Sequence, residues 1–384
     1  MARRRRGRGR QTRHKQRRIN WGRFIIFLLI VVGIAAAILL AIHLLSGDES
    51  PILPSSTPTP AAGLGSPLPE VSATPSPTPH LSGELSLNPA EGTDPSGFGY
   101  KSDIMIDGEI VTSFTRSGNM SFGHGKDYTA LPGLITFGGS NYRDTFTYGT
   151  ANVKEKKLEI VHTEEMGYLN GWSGTCWTGM PVIVEWPAQT RKVLGVKDEF
   201  KDKDGFTEII YVAADGYIYF LEMPSGKRTR DPIKLGVTTK GTASLDPRGY
   251  PLLYTGQGDA STNANGKSGA WFRIVDLIQN KVVYEFGQKD PFSHRDWQAY
   301  DSSALLHAQT DTLIAPGENG VLYTLKLNSQ FDPEAGTVSV TPDKLQKYRY
   351  LFDGYSTGSD DSRKRWLGIE NSISVFRNYA YFTD

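Results

Sequence analysis

The chain has 384 residues, 38% of them hydrophobic and 22% charged, and a formal net charge of +1. This length allows one large domain or two average ones, with tails. Charge is unevenly distributed, because residues 1–23 contain 11 of the 42 Lys and Arg and none of the 41 Asp and Glu, which leaves −10 for the rest. The asymmetry excludes a uniformly neutral protein and indicates one that occupies two compartments.

A long apolar segment follows the basic head. Residues 24–45 read FIIFLLIVVGIAAAILLAIHLL without a formal charge, so a helix here would cross the ~30 Å hydrocarbon core of a bilayer. Basic residues precede the segment and none lies close behind it, which predicts a cytoplasmic head and an extracytoplasmic remainder. We interpret residues 24–45 as a retained signal anchor in the plasma membrane and residues 1–23 as its topology determinant, with no nucleic-acid partner. A cleaved signal peptide is the alternative, although its apolar region usually spans roughly 7–15 residues.

Residues 46–97 are rich in Pro, Ser, Thr and Gly and include STPTP and TPSPTP. A segment with so few large apolar residues cannot bury enough surface to fold. We predict a disordered stalk that holds the folded part off the membrane. Cys176 is the only cysteine and excludes an intrachain disulfide, which for an extracytoplasmic domain is typical of bacterial envelope proteins.

Residues 98–384 consist of short runs of Val, Ile, Leu, Tyr and Phe separated by Gly, Pro, Asp and Asn. PDKLQKYRYLF, residues 342–352, is the closest to a helical pattern. Many short strands at close intervals predict an all-β sandwich, barrel or propeller.

A repeated unit favours the propeller. AADGYIYFLEMPSGK, residues 213–227, is similar to PGENGVLYTLKLNS, residues 316–329, and both contain a dipeptide that closes tight hairpins. The residues that open successive units are spaced by 63, 59 and 69 positions: Pro181, Ser244, Ser303 and Ser372. We therefore predict a β-propeller of four-stranded blades with about four to five blades present. NYAYFTD, residues 378–384, would be a second strand of a fifth blade, so we expect a truncated sequence or closure through another chain.

These repeats resemble those of the quinoprotein alcohol dehydrogenase-like superfamily, in particular the membrane-anchored PQQ-binding-like propeller proteins of bacteria. Part of the family's repeat signature is kept at Glu222, Ser225, Gly226 and Lys227 and again at Asp276, Asn280 and Lys281; the Trp that docks between blades in that family is missing, with Arg230 and Glu285 in its neighbourhood. The resemblance implies pyrroloquinoline quinone with calcium as a cofactor. The vicinal cysteines of the methanol-oxidising members are absent, and we predict no cofactor with the quinone as the alternative.

The connections that precede each opening strand carry Trp and charged side chains. In a propeller such connections converge at the mouth of the central channel, where Trp can stack on a ligand and charges can orient it. The candidate ligand-binding residues are Trp172, Trp177, Lys240, His294, Arg295, Trp297, Asp301, Trp366 and Glu370. The alternative is that these Trp side chains pack between blades and the charges are solvated.

Other motifs indicate no chemistry. His294 with Asp296 and Asp301 could serve as acid and base, but a lone His in a polar loop is more often hydrogen-bonded or solvated. GYSTG, residues 354–358, lacks the helix that a nucleophile elbow requires, and DEFKDKDG, residues 198–205, is better explained as a hairpin turn than as a calcium loop. The loop at residues 258–266 is interpreted as a polar insertion, and Cys176 as a buried inert thiol.

The sequence thus predicts a membrane-anchored, cell-surface β-propeller that binds an unknown extracellular ligand or protein without catalysing a reaction. One alternative is an envelope assembly or sensing scaffold with a protein partner. A second is a quinone-dependent oxidoreductase.

Overall fold

The computed structural model describes residues 91–92, 95–116, 120–176, 179–259, 269–295, 297–352, 362 and 366–383. They belong to a compact unit that extends from Leu85 to Asp384. The predicted head, membrane anchor and most of the predicted stalk lie outside the described residues, as does GYSTG. No helix in the described part of the chain is long and apolar enough to span a bilayer.

Short strands dominate the described chain. In chain order they are β1 (Tyr100–Ile106), β2 (Glu109–Val111), β3 (Gly133–Leu134), β4 (Tyr168–Leu169), β5 (Trp172–Ser173), β6 (Val182–Val184), β7 (Glu208–Val212), β8 (Tyr217–Glu222), β9 (Ile233–Lys234), β10 (Ser244–Leu245), β11 (Leu252–Gly256), β12 (Phe272–Asp276), β13 (Lys281–Phe286), β14 (Leu305–His307), β15 (Thr312–Pro316), β16 (Leu322–Lys326), β17 (Gln330–Asp332), β18 (Thr337–Ser339), β19 (Gln346–Phe352), β20 (Ser374–Phe376) and β21 (Tyr379–Tyr381). The α-helices are α1 (Ala188–Val193) and α2 (Asp198–Lys201), and 3-10 turns cover Pro95–Phe98 and Gly125–Asp127.

The strands form three larger antiparallel sheets and three hairpins. The first sheet has the order β3-β6-β7-β8-β9, the second β10-β11-β12-β13, and the third β14-β15-β16-β19-β1-β2; β4-β5, β17-β18 and β20-β21 pair separately. Sequential strands are neighbours within most of each sheet, as expected for strands joined by tight turns. The all-β class predicted from the sequence is confirmed.

The predicted hairpin turns close β7-β8 and β15-β16. Gly216 has a φ of +85° and Gly320 a φ of +81°, a region that side chains other than Gly rarely adopt. Preceding each Gly, a side chain caps the turn: Asp215 accepts a hydrogen bond from the Tyr217 amide at 3.1 Å, and Asn319 accepts one from Val321 at 3.2 Å. Local chemistry therefore sets the register of both hairpins.

Two apolar clusters join the sheets. One contains side chains from all three sheets, among them Val182, Leu253 and Ile314. Aromatic rings of the second and third sheets fill the other, where the ring centroids of Phe286 and Tyr323 are 5.3 Å apart. Burial of these large side chains is the main stabilising contribution in a domain without disulfides.

Arg230 lies between β8 and β9, and it joins the first two sheets. Its guanidinium lies 3.8 Å above the Phe220 ring, pairs with the buried carboxylate of Glu208 at 2.9 Å and donates to the carbonyl of Leu277 at 3.2 Å. Leu277 follows β12 of the second sheet. A planar cation that stacks on a ring and donates several hydrogen bonds thus ties these two sheets together.

Two segments depart from their local pattern. Within residues 342–352, the segment closest to a helical pattern, Gln346–Phe352 forms strand β19 and pairs with β1 from Tyr100–Phe352 to Met105–Lys347. DEFKDKDG begins with α2 and turns only at its end, since the apolar Phe200 is buried against Phe206 at 5.7 Å between ring centroids. Both outcomes depend on distant or tertiary contacts that override local pattern.

Candidate functional site

The residues that open successive repeat units meet in the interior. The hydroxyls of Thr136, Ser244 and Ser303 form a closed triangle, with Oγ–Oγ distances of 2.8–3.0 Å. The hydroxyl of Ser372 accepts a hydrogen bond from the Ser303 amide at 2.9 Å. Three of the four opening positions that the repeat spacing identified are therefore in one network, and Thr136 takes part instead of Pro181.

Arg143 lies beside this triangle and is buried. Its Nε donates to the carbonyl of Ile373 at 2.8 Å, one terminal nitrogen donates to Thr136 Oγ1 at 2.6 Å and the Phe137 carbonyl at 2.8 Å, and the other donates to the Ser303 carbonyl at 2.9 Å. Burial lowers the pKa of Arg143 to about 10, which still leaves it protonated at neutral pH. Its charge is compensated by hydrogen-bond acceptors and not by a carboxylate.

A second group of side chains, which we call the Trp–carboxylate cluster, is formed by residues from successive connections. It comprises Trp172, Lys240, Asp259, Arg295, Trp297, Asp301, Glu318 and Glu370. Every member touches at least one other through the contacts given below. The cluster thus unites connections that lie up to 198 residues apart in sequence.

Trp172 and Lys240 form one side of the cluster. The indole N–H of Trp172 donates to the Asp259 carboxylate at 2.9 Å, and the Lys240 ammonium lies 5.3 Å from the centre of the Trp172 ring. Lys240 also pairs with Asp301 at 3.3 Å. Gly258 permits this packing, because an added Cβ would lie 2.6 Å from Asp301 Oδ1. These contacts hold one face of the indole against a cation.

Trp297 and Glu318 form the other side. The Trp297 indole donates to Glu318 Oε2 at 2.7 Å, while 49% of the Trp297 residue surface stays exposed. Arg295 donates to the main-chain carbonyl of Glu318 at 2.9 Å and pairs with Glu370 at 3.0 Å. A half-exposed indole therefore lies beside a fixed arrangement of charges.

Burial, more than any other cause, keeps the two inner carboxyl groups protonated to higher pH than usual. Burial, followed by the negative charge of Asp301, raises the pKa of Glu318 to about 7. For Asp301 the effect of burial also exceeds the opposing attraction of Lys240 and raises its pKa. Both shifts follow from placing acidic groups close together away from water.

The structure brings together most, but not all, of the residues predicted for the site. Trp172, Lys240, Arg295, Trp297, Asp301 and Glu370 belong to the cluster. His294 is buried near β1 and β19, where burial and then the charge of Arg349 lower its pKa to about 4. Trp366 is 76% exposed and does not join the cluster, while Trp177 and Asp296 lie outside the described residues.

Two members of the cluster were missed from the sequence. Glu318 lies in the hairpin turn between β15 and β16, where PGENG indicates only a turn. Asp259 begins the loop that we interpreted as a polar insertion. The acidic residue next to Asn319-Gly320 was the available signal, because a turn needs no carboxylate at that position.

Cys176 is buried, and burial raises the pKa of its thiol, which disfavours the reactive thiolate. Across the described ranges no group of three or more His, Cys, Asp and Glu side chains is arranged to hold a metal ion.

No protein-family model matches the chain, and no curated protein is significantly similar to it.

Proposed function

We propose that the chain is a membrane-anchored β-propeller that binds a ligand outside the cytoplasm. The propeller is supported by three successive antiparallel sheets whose opening residues meet at Thr136, Ser244 and Ser303. Radially arranged blades bring the starts of their inner strands together in this way. Membrane attachment is supported by the apolar residues 24–45 behind a basic head; extraction of the protein by alkaline carbonate would overturn it.

The observation that carries the binding function is the chain of contacts through the Trp–carboxylate cluster. It holds the half-exposed indole of Trp297 beside Arg295 and the carboxyl groups of Asp301 and Glu318. Aromatic stacking combined with a few fixed polar groups suits a glycan, a small metabolite or a peptide. The cluster is proposed to bind and not to catalyse, because Lys240 and Trp297 already engage its inner carboxyl groups.

The experiment is a titration of the purified protein with a panel of glycans, metabolites and short peptides, followed by thermal shift and calorimetry. A ligand that binds the cluster should lose about tenfold or more in affinity on Trp297→Ala, because truncating a stacking side chain at the centre of a site costs more than about 1 kcal/mol and about 1.4 kcal/mol corresponds to a tenfold change. Tyr381→Ala is the matched control, because Tyr381 is exposed to the same extent on the hairpin β20-β21.

If both substitutions lower the affinity for a ligand equally, that ligand does not bind at the cluster. If no ligand in the panel binds, the ligand-binding function fails and the scaffold with a protein partner takes its place.

A further inference from the structure

The segment at residues 150–166 has no regular secondary structure. Within the described chain, none of its backbone N–H or C=O groups takes part in a backbone–backbone hydrogen bond. Its large apolar side chains point into solvent: Leu158 is 99% and Ile160 is 87% exposed, and Val153 and Val161 are exposed as well. Unpaired backbone next to exposed apolar side chains is a template for strand pairing.

Both ends of this segment are fixed to the body of the domain. On the amino-terminal side, the Thr145 amide donates to the Gly138 carbonyl at 3.0 Å. On the other side, Glu164 pairs with Arg228, and the Gly167 amide donates to Asp215 at 2.6 Å. The exposed middle is therefore held at the surface between two attachments.

The charges of the segment are arranged in two halves. Residues 154–157 contain three Lys and one Glu, a net charge of +2, whereas Glu164 and Glu165 contribute −2. Within one copy Glu164 pairs with Arg228, and Lys157 pairs with Glu159 at an exposed position where such pairs are weak. The exposed Glu165 is therefore the acidic group offered to a second copy. When two such segments run antiparallel, the basic half of each lies beside the acidic half of the other. A parallel arrangement would place like charges side by side, which destabilises strand pairs.

We propose that residues 157–165 are the surface through which two copies of this chain associate, by antiparallel pairing of the segment with its counterpart about a two-fold axis at Val161, so that Lys157 of each copy lies opposite Glu165 of the other. Such an interface is self-complementary, since each contact occurs twice. Main-chain hydrogen bonds supply the affinity, and Leu158, Ile160 and Val161 become covered. The β-branched residues Ile160, Val161 and Thr163 favour the extended conformation that pairing requires. The proposal is independent of the ligand at the Trp–carboxylate cluster.

The test is a charge exchange in the full-length protein. Two differently tagged copies are produced together, solubilised in mild detergent and captured through one tag, and the recovery of the other copy is measured. Lys157→Glu in both copies, or Glu165→Lys in both, should lower recovery roughly tenfold, because two attractive contacts become repulsive. Lys157→Glu in one copy with Glu165→Lys in the other should restore it.

Lys344→Glu, a reversal at another exposed lysine, is the control and should leave recovery unchanged, and equal melting temperatures exclude unfolding as the cause of any loss. A second readout uses Val161→Cys, which adds an exposed thiol at the two-fold axis to a chain whose own Cys176 is buried. Copper phenanthroline and oxygen should link two such copies and fail to link copies with Ile110→Cys. The proposal is overturned if the second copy is recovered equally well with the wild-type protein and with both charge variants. It is also overturned if the wild-type protein forms no pairs.

Discussion

Glu318 is the residue whose protonation should be visible in the stability of the protein. Its folded-state pKa of about 7 lies above the ordinary value for Glu. Between roughly pH 4.3 and 7 the folded protein therefore holds a proton that the unfolded chain releases, so the free energy of unfolding falls as the pH rises through this window. The size of the effect is on the order of 3 kcal/mol, at about 1.36 kcal/mol per pKa unit.

Glu318→Gln should remove this contribution while its amide oxygen still accepts the Trp297 indole N–H. Between pH 5 and pH 8, the free energy of unfolding of the wild-type protein should fall by about 2–3 kcal/mol more than that of the variant. Urea denaturation of both proteins at the two pH values measures the difference. Parallel pH profiles would mean that the Glu318 carboxyl is ionised throughout, against the burial and the Asp301 charge that raise its pKa.

At the scale of single residues, sequence reasoning succeeded where residue type and position in the repeat were both informative. Trp172, Lys240 and Asp301 each precede an opening strand, and the structure joins them. His294 precedes the same strand as Asp301 yet is buried near Arg349 of β19 and Asp103 of β1, two strands that pair with each other. That pairing connects residues about 250 positions apart, so no local pattern contains it.

At the scale of elements, the hairpin turns offer a matched pair of glycines. Gly320 and Gly205 both have positive φ, but a Cβ at Gly320 would clash with the main-chain oxygen of Leu367, whereas one at Gly205 would meet nothing. Gly205→Ala should lower the free energy of unfolding by about 1 kcal/mol, because Ala must adopt the left-handed conformation there. Gly320→Ala should cost about 2–4 kcal/mol, because the turn must also move away from Leu367.

The free energy of unfolding from urea titrations of the two variants decides between these values. Equal losses would show that the β15-β16 turn shifts freely, contrary to its packing against Leu367.

Elements formed by local chemistry were the predictable ones. The strand β8 at Tyr217–Glu222 and the turn before it follow from alternating apolar residues and Asp215-Gly216. The sequence did not indicate that β1 would extend the third sheet, nor that α1 would lie between β6 and β7. Both depend on which surfaces remain uncovered once the other sheets have packed, and that is a property of the assembled domain.

At the scale of the whole molecule, Arg143 links units that are remote in sequence. It donates to acceptors from residues 136–137, 303–304 and 373. Arg143→Met leaves several buried carbonyl groups without their donor and should destabilise the protein by about 3–5 kcal/mol. Arg143→Lys keeps the charge with fewer donors in a different geometry and should recover only part of this loss.

Chemical denaturation at pH 7 measures both variants. Losses below about 1 kcal/mol for each would mean that water replaces the guanidinium at no cost, so that the hydroxyl triangle alone holds the opening strands together.

The pairing of β1 with β19 has a mechanical consequence. Tyr100 is the first residue of the third sheet met by the chain, and its strand is held by six residue pairs and by the ion pair of Asp103 with Arg349 at 2.7 Å. A pull transmitted along the polypeptide from upstream of Tyr100 therefore loads this ladder before any other part of the domain. In the membrane-tethered protein that we propose, the resistance of β1 to being drawn out of its sheet would set the force that the domain withstands.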